Sequence, residues 1–174
     1  MYDFIIIGAG SAGCVLANRL SANPNHKVCL IEAGGSDRNY LVRRTNPLNM
    51  LMLMHSKRFN WGYRCEPEQR TGQRRFFWPR GKGLGGSSSV NAMIYARGHQ
   101  WDFDHWAELG NEGWGYDDVL PWFKKSQRWA RGSNKYHSNN GTMDVVDTTF
   151  HFPTSEAFVK ASAEAGFLQN NDFN

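Results

Sequence analysis

Residues 2–13 read Tyr2-Asp3-Phe4-Ile5-Ile6-Ile7-Gly8-Ala9-Gly10-Ser11-Ala12-Gly13, and this stretch decides the fold. Tyr2 to Ile7 is an almost unbroken apolar run, too short for a helix, and reads as a parallel strand buried on both faces. The glycines that follow have mechanical roles in a strand-to-helix turn. Gly8 makes the tight turn, Gly10 lets a ligand approach the backbone, and Gly13 lets the helix pack closely on the strand. From Ser11 to Leu20 the residues Cys14, Val15, Leu16, Ala17 and Leu20 recur at helical spacing, and Asn23-Pro24-Asn25 stops the helix. A second apolar run, Lys27 to Ile31, supplies another buried strand and ends in Glu32, nineteen residues beyond Gly13.

That order of elements prepares a seat for a pyrophosphate. A helix N-terminus presents backbone N–H groups without intrahelical partners and the positive end of its dipole, so Ser11 and Ala12 offer donors to an anion. Glu32, with Ala33 beside it, stands where a carboxylate accepts hydrogen bonds from the two hydroxyls of an adenosine ribose, and its charge disfavours a 2′-phosphate. A three-glycine turn alone is a weak signal. Strand, helix, second strand and acid in the right order make dinucleotide binding the reading. Up to Glu32, the pattern suits an NAD-dependent reductase as well as a flavoprotein.

The tie breaks at Gly81-Lys82-Gly83-Leu84-Gly85-Gly86-Ser87-Ser88-Ser89-Val90-Asn91, followed by Tyr95, Gly98 and Asp104. Consecutive glycines and serines provide unhindered N–H groups and small hydroxyls that wrap a polar cofactor at close range. A flexible linker has a similar composition, but a linker is polar on both sides, whereas Phe76-Phe77-Trp78 and Met93-Ile94-Tyr95 flank this run. Together with Gly8 to Gly34, Asn60-Trp61, Trp78-Pro79-Arg80, Gly166 and Asp172-Phe173-Asn174, the run resembles the N-terminal part of the glucose–methanol–choline (GMC) oxidoreductases over essentially the whole chain. Within that family it is most similar to the alcohol dehydrogenases of bacterial alkane pathways, with choline dehydrogenase near by.

The resemblance implies an α/β fold, a Rossmann-like FAD-binding domain with a parallel sheet that is incomplete relative to the full family fold. Residues 1–174 would be the N-terminal portion of that domain, without the substrate-binding domain and the catalytic C-terminal region. FAD is the implied cofactor, lying along the second glycine run. The candidate contacts are Gly8, Gly10, Ser11, Ala12, Gly13, Glu32 and Ala33, joined by Trp61, Arg80, Gly85, Gly86, Ser87, Asn91, Ala92 and Met93. Some relatives tether FAD through a histidine a few residues before the double glycine. Trp78 stands there in this sequence and cannot form the bond, so noncovalent FAD is expected.

The activity implied for the full enzyme is oxidation of a primary alcohol to an aldehyde by hydride transfer to flavin N5, a histidine taking the hydroxyl proton. Electrons would leave to a quinone or another acceptor, or to oxygen. Choline is the alternative substrate, and a truncated, non-catalytic FAD-binding module is the alternative to an enzyme. No position among His26, His55, His99, His105, His137 and His151 matches the family's catalytic motif, so no catalytic residue is expected in this chain. His99, beside the signature, is the histidine expected to come nearest the cofactor, and the others read as surface or structural.

A chain of 174 residues can bury one core. Cys14, Cys29 and Cys65 have no CxxC spacing and read as buried free thiols of a reducing compartment. With no secretory leader and no window of membrane-spanning length, a cytoplasmic location is expected. The net charge of +4 is uneven, since residues 37–82 hold eleven Lys or Arg against three Asp or Glu. No nucleic-acid module accompanies those charges, and they interleave with the cofactor motifs, so nucleic acid is excluded. The run Met50-Leu51-Met52-Leu53-Met54 among them suits either peripheral association with an anionic inner-membrane surface or a short core helix or lid.

The remainder reads as scaffold. Helices are expected from Trp101 to Leu109, with Asp102 as N-cap and Gly110 as stop, and from about Tyr116 to Trp129, with Pro121 near the first turn. Asn139-Asn140-Gly141 turns into a strand from Thr142 to Val146, and a capped amphipathic helix spans Thr154 to Ala165 before Gly166. The seven tryptophans read as core packing in preference to a carbohydrate platform. A sheet lacking the family's remaining strands leaves an edge and an apolar face in water, so an oligomer or a covering partner is expected.

Overall fold

A strand, β1 (Phe4–Ile7), a helix, α1 (Ser11–Leu20), and a second strand, β2 (Val28–Ile31), form a βαβ unit at the start of the computed structural model. The structure describes residues 1–43 and 46–172; Arg44 of the basic segment and Phe173 and Asn174 of the family match lie outside the described residues. β1 and β2 pair in parallel, from Phe4 opposite Val28 to Ile7 opposite Ile31. The chain divides into two units, Met1–Ile94 and Tyr95–Asn174.

Side chains alternate across a strand. Ile6 is buried and lies on the side of α1, where its Cγ2 would stand 3.5 Å from a Cβ added to Gly13. Ile5 and Ile7 point the other way and are 62% and 86% exposed. The expectation of strands buried on both faces is therefore corrected: among the described residues the sheet has two strands and a helix on one face, and Ile5 and Ile7 lie exposed on the other. Tyr2 and Lys27 also fall outside the strands they were expected to begin.

The rest of the first unit is built from α2 (Tyr40–Arg43), α3 (Pro47–His55) and a hairpin of β3 (Tyr63–Arg64) and β4 (Phe77–Trp78). The Asn46 carboxamide caps α3 by accepting from the Asn49 N–H at 2.8 Å. The methionine–leucine run is thus a short helix, with Leu53 buried and with Leu48, Leu51 and Met52 exposed.

In the second unit, α4 (Gln100–Glu108) and α5 (Tyr116–Ser126) pack through buried Phe103 and Tyr116, with the Phe123 ring 5.6 Å from that of Phe103. His99, not Asp102, is the N-cap of α4. Its Nδ1 accepts from the Trp101 N–H at 3.1 Å, and the Asp102 carboxylate accepts from the His99 N–H at 2.9 Å. α5 ends three residues earlier than expected, with Pro121 inside it rather than near its first turn, because Gln127–Trp129 form β5 and pair in parallel with β6 (Met143–Val145). α6 (Pro153–Glu164) follows its expected span but has no side-chain cap.

Two expectations about burial fail. Cys14 is exposed and Cys29 and Cys65 are half-buried, all three as free thiols. Six of the seven tryptophans are exposed, only Trp129 being partly covered, so the packing of α4 on α5 rests on Phe103 and Tyr116. No helix among the described residues is long and apolar enough to cross a membrane.

Candidate dinucleotide site

The site is built where β1 stops. Gly8 turns the chain with φ +92°, and Gly10, in extended conformation, is the N-cap of α1 without any side-chain capping bond. The first N–H groups of α1, those of Ser11, Ala12 and Gly13, thus point out of the helix end with the dipole behind them. A Cβ on Gly13 would overlap the Gly8 carbonyl oxygen, so helix and strand approach as closely as the glycine spacing predicts. A Cβ on Gly10 would meet no protein atom within 4 Å, which leaves open space over the donors.

Glu32 closes the turn from the end of β2. Its carboxylate accepts from the Gly34 N–H at 2.8 Å and from the Ala9 N–H at 2.7 Å, and these bonds hold its pKa below the ordinary carboxylate value, with Gly34 the largest cause. Two N–H donors leave lone pairs on each oxygen free to accept from hydroxyls. Ala33 lies exposed beside it. A depressed carboxylate stabilises the fold above its unfolded-state pKa and loses that contribution as pH falls through the lower folded value. Thermal unfolding of Glu32→Gln should accordingly show a smaller drop than wild type on acidification below about pH 4. Identical acid slopes would mean that the carboxylate contributes nothing.

The second glycine run sits on the first. The Gly85 N–H donates to the Ala9 carbonyl at 2.8 Å, and a Cβ on Gly86 would stand 2.9 Å from the Gly10 Cα, so the two turns touch backbone to backbone. Ser87 belongs to a single 3-10 turn, Gly86–Ser89, and its hydroxyl accepts from the Gly81 N–H at 3.1 Å. Beyond it, Asn91 accepts from the Met93 N–H at 2.8 Å, and Met93 takes φ +59°. Asn91, Ala92 and Met93 line a cavity of about 570 Å³ together with Val42 of α2 and Met50 and Leu53 of α3.

Trp61 and Arg80 meet through their backbones, the Trp61 N–H donating to the Arg80 carbonyl at 2.9 Å. Their side chains are engaged elsewhere. Arg80 bonds the Pro79 carbonyl and lies over the Trp78 ring, while Trp61 stacks on Tyr63 under the Lys82 ammonium. The structure therefore gathers Gly8 to Gly13, Glu32, Gly85 and Gly86 at one point and sets Asn91 to Met93 at a neighbouring cavity. His99 is committed to its helix cap. The α3 wall of the cavity falls on the Met–Leu run, for which a short core helix or a lid over the cofactor was one of the two expectations, whereas the role of Gly34 as donor to Glu32 was missed.

A family model described as GMC oxidoreductase matches residues 2–174. The chain belongs to the GMC oxidoreductase family. Among its GMC relatives, an alcohol dehydrogenase [acceptor] of Pseudomonas putida is 49% identical over 175 residues, covering 100% of this chain and 31% of that protein. An oxygen-dependent choline dehydrogenase of Photobacterium profundum is 43% identical, covering 99% of this chain and 30% of the other. The chain thus spans about a third of the length of the curated relatives it matches. The crystal structure of pyridoxine 4-oxidase from Mesorbium loti superposes with a TM-score of 0.85 at 36% identity, over 95% of this chain and 32% of that one. A structure of formate oxidase from Aspergillus oryzae RIB40, concerned with modification of its FAD, gives 0.80 at 31% identity, over 95% and 30%.

Proposed function

We propose that residues 1–174 are the FAD-binding portion of a flavoprotein dehydrogenase that oxidises a primary alcohol to an aldehyde. The observation that carries this reading is the backbone contact between the two glycine runs, because the first turn alone would serve a nicotinamide dinucleotide equally. The open N-terminus of α1 fits a pyrophosphate, which the Ser11, Ala12 and Gly13 N–H groups would bind. Glu32 would orient the adenosine ribose. Gly85, Gly86 and Ser87 would cover the phosphates, and Asn91, Ala92 and Met93 would keep water from the ring-bearing half. The chemistry that FAD supplies when bound is two-electron oxidation of a carbon bearing a hydroxyl group.

Trp78, exposed on β4, supports noncovalent attachment, since an indole offers no nucleophile for the flavin. The name of the Pseudomonas relative supports an alcohol as substrate and a separate electron acceptor, that of the Photobacterium relative supports choline as the second choice, and an aliphatic alcohol with a quinone or similar acceptor completes the proposal. Exposed Leu48, Leu51 and Met52 on α3, with exposed Arg43, Lys57 and Arg58 at its two ends, support peripheral contact with an anionic surface on the cytoplasmic face of a membrane. The open sheet face with Ile5 and Ile7 supports cover by further polypeptide or a second copy.

The test is an absorption spectrum of the purified chain after incubation with FAD and removal of free cofactor, followed by acid precipitation. Flavin retained by the chain and released to the supernatant is expected. Flavin in the pellet would overturn noncovalent attachment, and a folded chain that retains none, or that NAD stabilises instead, would overturn the FAD reading.

A further inference from the structure

Asn60 is 4% exposed and directly precedes Trp61, yet it has no part in the contacts assigned above. Its Oδ1 accepts from the Gly62 N–H at 2.8 Å and from the Arg80 N–H at 3.2 Å, so one carbonyl oxygen clamps two segments eighteen residues apart. The main chain repeats the connection. Asn60 bridges Gly81, the Lys82 N–H donates to the Phe59 carbonyl at 2.8 Å, and the Trp61 N–H donates to the Arg80 carbonyl. From Gly81 the contacts continue to the site, through Ser87 Oγ at 3.1 Å, then to Gly85 and the Ala9 carbonyl at 2.8 Å.

The Asn60 Nδ2 is buried with no hydrogen-bond partner among the described residues. Such an orphan donor is costly, so this position keeps a carboxamide for its oxygen alone. The same burial means that Nδ2 cannot reach a ligand lying over Gly10. Any influence of Asn60 on the cofactor passes through Arg80 and Gly81.

We infer that Asn60 is the positioning residue of the second glycine run, holding Gly81 to Gly86 in the pose that meets the first. The inference rests on the FAD reading for its purpose but not for its geometry. Asn60→Ala is expected to lower the hydrogen-exchange protection of the Gly81 and Gly85 amides at least tenfold, while the Ile6 and Ile31 amides of the sheet change less than threefold. FAD should bind at least tenfold more weakly. Asn60→Asp, which keeps an acceptor oxygen, should return both readouts to within threefold of wild type. Leu53→Ala, a core truncation in the same unit, should lower protection evenly.

Unchanged protection at Gly81 and Gly85 in Asn60→Ala would overturn the inference, as would a loss matched by Ile6 and Ile31, or an aspartate that fails to rescue the exchange. If the wild-type chain retains no FAD, the functional reading falls, while the exchange data still decide the role of Asn60.

Discussion

Gly10→Ala is expected to leave the unfolding temperature of the chain unchanged while weakening FAD binding at least about tenfold, or ~1.4 kcal/mol. The two effects separate because the added methyl group meets no protein atom within 4 Å, and because Gly10 has φ −72°, which alanine adopts freely. Restricting the unfolded chain favours the folded state slightly and offsets the lower preference of an N-cap for alanine than for glycine. The methyl instead enters the space above the α1 donors, where a pyrophosphate must come within hydrogen-bond distance. Gly13→Ala behaves differently, since its Cβ would overlap the Gly8 carbonyl and force α1 away from β1. That overpacking costs about 1–3 kcal/mol and lowers the unfolding temperature by several degrees, with FAD affinity falling alongside. Calorimetric titration and thermal unfolding of both variants check the pair. Wild-type FAD affinity in Gly10→Ala would mean that the phosphates lie elsewhere.

Local rules made the βαβ unit legible, because a strand, a glycine turn and a helix bounded by Asn23-Pro24-Asn25 each follow from neighbours in the chain. α1 matches its expected span of Ser11 to Leu20. The contact between the two glycine runs was foreseeable as chemistry but not as geometry, since Gly85 and Ala9 are joined only through the folded main chain. Burial was the least legible property. An apolar run predicts a covered strand, yet Ile5 and Ile7 are exposed, because cover is a property of the whole sheet and not of the strand. Tryptophan misled for the same reason: Trp101 and Trp122 lie on helix faces that the second unit does not cover. The His99 cap was hidden by rank, for Asp is the commoner N-cap, and here the acid three residues on completes the reciprocal pair instead.

His137 is the histidine whose loss should be felt most. It is 1% exposed, its Nδ1 lies 3.0 Å from the Gln127 Oε1, and its Nε2 lies 2.6 Å from the Asp172 Oδ2. Gln127, also fully buried, is oriented by the Arg97 guanidinium, which donates to the same Oε1 at 2.5 Å. The Trp129 ring covers the imidazole at 4.0 Å between centroids. One side chain therefore joins the start of β5 to the segment after α6, thirty-five residues beyond His137 itself. His137→Ala removes a partner from a buried carboxamide and from a carboxylate at once and leaves a gap beneath Trp129, so a loss of about 3 kcal/mol is expected in urea unfolding. Asp172→Asn should cost only about 1 kcal/mol, because its side chain is 29% exposed and keeps an acceptor oxygen toward the ring. In the double variant the measured loss should be smaller than the sum of the two single losses, since the bond between Asp172 and the imidazole is counted in both. Strict additivity, or a His137→Ala variant within about 0.5 kcal/mol of wild type, would show that the cluster does not tie the segment after α6 to β5.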